Sequence, residues 1–123
     1  LSLILRDSVT EIGEYAFSGC TNLTDTGLGS NTSVKSIGIS SFAGWRSLQE
    51  TGLGSNRTIT TIGENAFQGA ESLKSTGLES NNTVRSLGAG VFIYCSGLQS
   101  MGFEGNSTIK SIGTNAFNSC TGL

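Results

Sequence analysis

The sequence predicts a repeat solenoid, a stack of 25-residue coils with one short parallel β-strand per coil and an irregular return path. Three series of residues predict it. An aliphatic–glycine pair recurs at Ile12-Gly13, Ile37-Gly38, Ile62-Gly63, Leu87-Gly88 and Ile112-Gly113, each 25 residues after the one before. Phe17, Phe42, Phe67, Phe92 and Phe117 keep the same step, as do Leu23, Leu48, Leu73, Leu98 and Leu123. A period of this length places equivalent residues one above another in a linear array, so function has to be sought on the stacked faces.

The period makes the 123 residues a single array of about five coils. An apolar fraction of 36% suits a thin core of one aliphatic layer per coil. The net charge of −2 gives no basic surface for nucleic acid or an anionic membrane. No apolar run approaches the roughly 18 residues of a membrane span, and no signal-peptide pattern is present. Leu1 and Leu123 both fall inside a repeat, with no polar capping coil. Two expectations follow: the chain is a segment of a longer array, or its open ends stack on further copies.

Each coil opens with a leucine. The openings Leu23–Asn31, Leu48–Asn56, Leu73–Asn81 and Leu98–Asn106 share the pattern L-x-x-(T/M)-G-(L/F)-x-(S/G)-N. Alternation along a strand would turn Thr26 and Leu28 inward and Gly27 outward, so the strand is expected here. Val34, Ile37, Phe42 and Trp45 follow, at spacings that suit neither a clean strand nor a long helix. An irregular return is expected, with a short helical turn near Asn65-Ala66-Phe67. The Gly13 series is expected to allow a tight bend or a positive φ. With no proline in the chain, bends rest on glycine, asparagine and serine.

The opening resembles the leucine-rich repeat signature L-x-x-L-x-L-x-x-N. Val9 to Leu23, with Ile12-Gly13, Ala16-Phe17 and Cys20, resembles the BspA-like class of that family, and Ile112 to Leu123 repeats the likeness. The resemblance covers the entire chain. It implies a right-handed solenoid of the α/β horseshoe type with a parallel sheet on one face. This chain departs from it in having coils about two residues longer than the usual length of about 23, with T-G-L-x-S-N at the corner.

The corner asparagines Asn31, Asn56, Asn81 and Asn106 each open an N-x-(S/T) sequon. One reading is a row of N-linked glycans along a secreted solenoid. The other is a buried ladder in which each amide bonds the backbone of its own and the adjacent coil. Coils about 4.8 Å apart leave little room for sugars on every step, whereas the two extra residues beside the asparagines could push them outward. Asn22 also opens a sequon but precedes a core leucine.

Cys20, Cys95 and Cys120 share a slot that Trp45 and Ala70 fill in other coils, which marks it as apolar and tolerant. They read either as buried free thiols or, for Cys95 and Cys120 in adjacent coils, as a disulfide between neighbours.

Histidine is absent, so no triad of the Ser-His-Asp or Cys-His kind can be assembled. Glu79 and Glu104 fall in adjacent coils and read as solvated acids rather than a cation site, and Lys35, Arg85 and Lys110 read as a solvated edge. The face carrying Thr24, Asp25, Gly29 and Ser30 is small, polar and free of the aromatic and arginine anchors of tight interfaces.

The residues therefore point to a non-enzymatic scaffold with no cofactor and no metal. Extracellular or cell-surface adhesion or fibre-like structure is the leading expectation, through weak multivalent contacts with protein or glycan ligands, with end-to-end self-association as an accompaniment. An intracellular interaction module with an asparagine ladder is the alternative, and an accessory domain of an enzyme a third reading.

Overall fold

The structure, a computed structural model, describes residues 3–123. Five strands of two residues each, β1 (Glu11–Ile12), β2 (Ser36–Ile37), β3 (Thr61–Ile62), β4 (Ser86–Leu87) and β5 (Ser111–Ile112), form one parallel sheet in the order β1-β2-β3-β4-β5. Ile12 pairs with Ile37, Ile37 with Ile62, Ile62 with Leu87 and Leu87 with Ile112, so the register advances by one full repeat at each step. The predicted solenoid is the observed fold.

The strand sits elsewhere in the coil than expected. At the Leu23–Asn31 type of opening the chain makes isolated bridges, such as the parallel one from Glu50 to Ser75, and then turns. Gly27, Gly52, Gly77 and Gly102 hold φ of 77°, 85°, 79° and 75°, a left-handed conformation through which no strand passes. Thr26 and Leu28 do face inward, at 1% and 0% exposure, but a turn puts them there rather than strand alternation. Gly27 is itself buried, and a Cβ on it would stand 2.6 Å from the Leu3 carbonyl oxygen. The expected helical turn near Asn65 is an irregular turn, and the one 3₁₀ segment among the described residues is Leu78–Ser80.

The glycine after each strand opens the expected tight bend, with the N–H groups of Ser41, Ala66 and Val91 donating to the carbonyls of Gly38, Gly63 and Gly88, and has a further task. Gly38, Gly63, Gly88 and Gly113 do not take a positive φ. They let successive coils touch: a Cβ on Gly63 would lie 2.9 Å from the Gly38 carbonyl carbon, and one on Gly88 2.5 Å from the Glu64 nitrogen. The hydrogen bonds there are short, with the Gly38 N–H donating to the Ile12 carbonyl at 2.8 Å and the Gly63 N–H to the Ile37 carbonyl at 2.7 Å.

A second ladder runs along the return path. The N–H groups of Tyr15, Phe17 and Gly19 donate to the carbonyls of Ile39, Ser41 and Ala43, at 2.9, 2.9 and 2.8 Å. Ser40, Phe42 and Gly44 repeat this toward Glu64, Ala66 and Gln68. Here the earlier coil donates to the later one, the reverse of the sheet. Between the two ladders the phenylalanines stack face to face, Phe42 on Phe67 at 5.4 Å and Phe67 on Phe92 at 5.5 Å, with rings within 9° of parallel. Leu48, Leu53, Ile59, Ile62, Leu73 and Leu78 complete a continuous core with none more than 2% exposed. Burial of each such side chain contributes roughly 1.5–3 kcal/mol, and no coil can secure it without its neighbours.

Close approach gives a contrast within one molecule. Gly63→Ala should destabilise by about 2 kcal/mol or more, because the added methyl meets backbone and not a movable side chain. Gly13→Ala, with nothing within 4 Å of its Cβ, should be near neutral. Urea unfolding of both variants checks this; equal effects would show that coil contact does not select the glycine.

Candidate functional site

The four corner asparagines build one continuous device. The Asn56 Nδ2 donates to the Leu28 carbonyl at 3.0 Å and the Asn31 carbonyl at 3.3 Å, while its Oδ1 accepts from the N–H groups of Thr58 and Ile59, both at 2.8 Å. Asn81 does the same one coil on, bonding the Leu53 and Asn56 carbonyls and the Thr83 and Val84 N–H groups. Asn106 and Asn31 follow suit, Asn31 reaching the Arg6 carbonyl at 3.1 Å. Asn31, Asn56 and Asn81 are 2%, 0% and 3% exposed, and Asn106 is half-buried. The geometry is that of the ladder. It opposes the glycan reading of Asn31, Asn56, Asn81 and Asn106, because a sugar on Nδ2 would replace a hydrogen already bonded to a neighbouring coil. The longer repeat does not push Asn31, Asn56 or Asn81 outward.

A threonine ladder runs beside it. The hydroxyls of Thr26, Thr51 and Thr76 donate to the carbonyls of Thr51, Thr76 and Met101, at 2.7, 2.6 and 3.1 Å. The same oxygens accept from the N–H groups of Leu28, Leu53 and Leu78. Each hydroxyl thus ties its own turn to the next coil, and Met101, half exposed, has no hydroxyl to continue the series.

The cysteine slot also serves the backbone. Cys95 and Cys120 are free thiols, not the disulfide considered above. Coils related by a simple translation aim the two side chains in the same direction, and each Sγ donates backward, Cys95 to the Phe67 carbonyl at 3.2 Å and Cys120 to the Phe92 carbonyl at 3.0 Å. Trp45 fills the equivalent slot with the same connection, its Nε1 donating to the Phe17 carbonyl at 2.6 Å. Burial pushes the Cys95 thiol up to about 12 and raises that of Cys120, so both stay protonated at neutral pH. Cys20 is free and half-buried.

What remains for partners lies outside these repeated slots. One shallow groove crosses the openings between Asp25, Glu50 and Ser55 and continues past Ser75 and Glu79. Glu79 accepts from the Ser75 hydroxyl at 2.9 Å, which holds its own turn, and Glu104 stands exposed in the next coil. Lys35, Arg85 and Lys110 are exposed along the edge next to the sheet. Among the described residues no group of three or more His, Cys, Asp or Glu converges as metal ligands would, and no helix is long and apolar enough to cross a membrane.

A second groove crosses the return-path turns from Tyr15 in the first coil to Tyr94 in the fourth, over Gly44 and Gly69. Reading the sequence for buried positions passes over these tyrosines. The signal is nevertheless there: Tyr94 stands where Gly19, Gly44 and Gly69 stand in earlier coils.

Asn56→Asp isolates the ladder. The variant keeps the acceptor for Thr58 and Ile59 but turns a carboxylate toward two carbonyls. It should lose about 3 kcal/mol or more, since each buried acceptor left unbonded costs about 1–3 kcal/mol. The same change at half-buried Asn106 should cost less. Urea unfolding measures both, and an Asn56→Asp chain as stable as the parent would contradict the ladder.

Comparison with known proteins agrees with this architecture. The profile of the BspA type leucine-rich repeat region, in six copies, matches residues 1–123. A leucine rich cell surface protein from Faecalibacterium prausnitzii is similar in structure, with 29% identity, a TM-score of 0.70, and 99% of this chain covered. A leucine-rich repeat protein from Bacteroides ovatus shares the fold at 24% identity and a TM-score of 0.57, again over 99% of this chain. This chain spans 37% and 35% of the lengths of those two proteins. No curated protein matches it. With the profile spanning every residue, the chain belongs to the BspA type leucine-rich repeat family.

Proposed function

We propose that this chain is a section of a longer, non-enzymatic leucine-rich repeat scaffold displayed outside the cell, where it serves adhesion through weak contacts repeated along its length. The observation that carries the reading is how the polar side chains are used. Asn, Thr and Cys in the repeated slots are committed to carbonyls of adjacent coils, so they hold shape and are not free for chemistry. Contact with partners then falls to exposed positions that differ from coil to coil. The likeness to a leucine rich cell surface protein supports the location. Glycosylation at the corner sequons does not enter this reading, because their amide hydrogens are in use.

Ile112 is 49% exposed and Leu123 52%, whereas Ile37 and Ile62, equivalent to Ile112, are 2% exposed and Leu48, Leu73 and Leu98, equivalent to Leu123, are fully buried. A following coil would cover them, and so would the end of another copy.

Two measurements test the proposal. Protease treatment of intact cells of the native source should remove the repeat region while cytoplasmic markers survive; full protection would contradict surface display. Light scattering of the isolated chain should show mass rising with concentration if bare ends stack on each other. A strict monomer at all concentrations would exclude self-stacking.

A further inference from the structure

We propose that the groove between Tyr15 and Tyr94 binds a short linear, uncharged oligosaccharide. This rests on the surface reading above and names a ligand class for it. Tyr15 and Tyr94 are the only tyrosines in the chain, and both line this one groove at 62% and 52% exposure. Both also hold a left-handed backbone, with φ of 57° and 62°. That conformation is unfavourable for a bulky residue, and the return-path ladder enforces it: the Tyr15 N–H is bonded to Ile39 and the Tyr94 N–H to Asn118. Glycine suits the slot of Tyr94 better and occupies it in the first three coils. Packing does not account for the two rings, since each stands in solvent.

The lining selects the partner. Tyr15 and Tyr94 are three coils apart, roughly 14 Å along a stack with strands spaced about 4.8 Å. Between them Gly44 and Gly69, which carry no side chain, leave a low floor. An extended peptide would find no sheet edge to join, because the Gly44 and Gly69 N–H groups already donate to Gln68 and Ile93. It would also find no deep apolar pocket. A sugar needs neither. The ring C–H groups of a pyranose carry partial positive charge and settle on the electron-rich face of an aromatic ring. Its hydroxyls both donate and accept, and the groove offers the Gln68 amide, the Arg46 guanidinium and the Glu71 carboxylate for both roles. Arg46 and Glu71 occupy one slot in adjacent coils, so the two charges offset each other. An uncharged ligand fits that balance better than a polyanion.

The repeat supplies its own control substitutions. Tyr94→Gly installs the residue of the first three coils, and Tyr15→Ser the residue at Ser40. Neither fills a buried space, so both variants should fold with an unchanged or raised melting temperature. Saturation-transfer NMR and calorimetry with cello-, manno-, xylo- and chito-hexaose should detect binding of at least one to the parent chain. Each substitution should weaken it by about tenfold, the scale of one lost ring contact of about 1.4 kcal/mol. The double variant should abolish it. If no hexaose binds the parent, or if the double variant binds as well as the parent, the proposal is wrong. Binding only to extended peptides would also overturn it. Surface display is judged separately by the protease experiment, so a chain found on the surface without sugar binding would refute this inference and leave the scaffold reading standing.

Discussion

Everything in this molecule depends on contact between backbones one repeat apart. The sheet is only two residues wide at each step, too little to hold a coil by itself. Cohesion comes from running several ladders at once around the same coil. The sheet bonds pass from the later coil to the earlier one, the return-path bonds pass the other way, and asparagine and threonine side chains add two further rows at the corner. All of them require that equivalent residues lie directly over one another. Gly38, Gly63, Gly88 and Gly113, after β2 to β5, set the distance, since any side chain there would push the coils apart. The phenylalanine column then fills the interior at a ring spacing of 5.4–5.7 Å.

This arrangement divides the residues into two groups. Those that recur every 25 positions are spent on geometry: even the sulfhydryls of Cys95 and Cys120 and the indole of Trp45 are turned to carbonyls of the preceding coil. Among the positions that change from coil to coil, those of Tyr15, Arg46, Glu71 and Tyr94 face solvent. In a solenoid of this kind recognition is written in departures from the repeat. Tyr94 at a glycine slot is one such departure, and Tyr15 at the slot of Ser40 and Asn65 is another.

Much of this was legible in the residues. The period fixed the stacking, and with it the phenylalanine column and the inward turn of Thr26 and Leu28. The position of the strand was not, for a definite reason. Two inward residues flanking an outward one look like strand alternation, yet a left-handed glycine between them gives the same inward pair by reversing the chain, as at Gly27. The true strand, Ser36–Ile37, is too short to show any alternation. The bend at the Gly38 series was legible, but its close contact with the preceding coil was not, because a steric limit set by a neighbour 25 residues away leaves no local mark. The asparagines stood between two readings until both of their amide hydrogens could be followed to carbonyls. The tyrosine groove was hidden because its residues come from four different coils.

The most direct test of the central claim removes one coil. Deleting residues 38–62 joins Ile37 to Gly63 and takes out one complete period, since Ile37 and Ile62 are register partners. The shortened chain should retain a cooperative unfolding transition and the parent's far-ultraviolet dichroism per residue. Deleting residues 38–49 instead leaves only about half a coil between Ile37 and Ile62. That chain should lose cooperative unfolding, because a half-coil cannot carry the chain round to place its residues over their equivalents on both sides. If both deletions behaved alike, the coils would not be held by register and the account would fail.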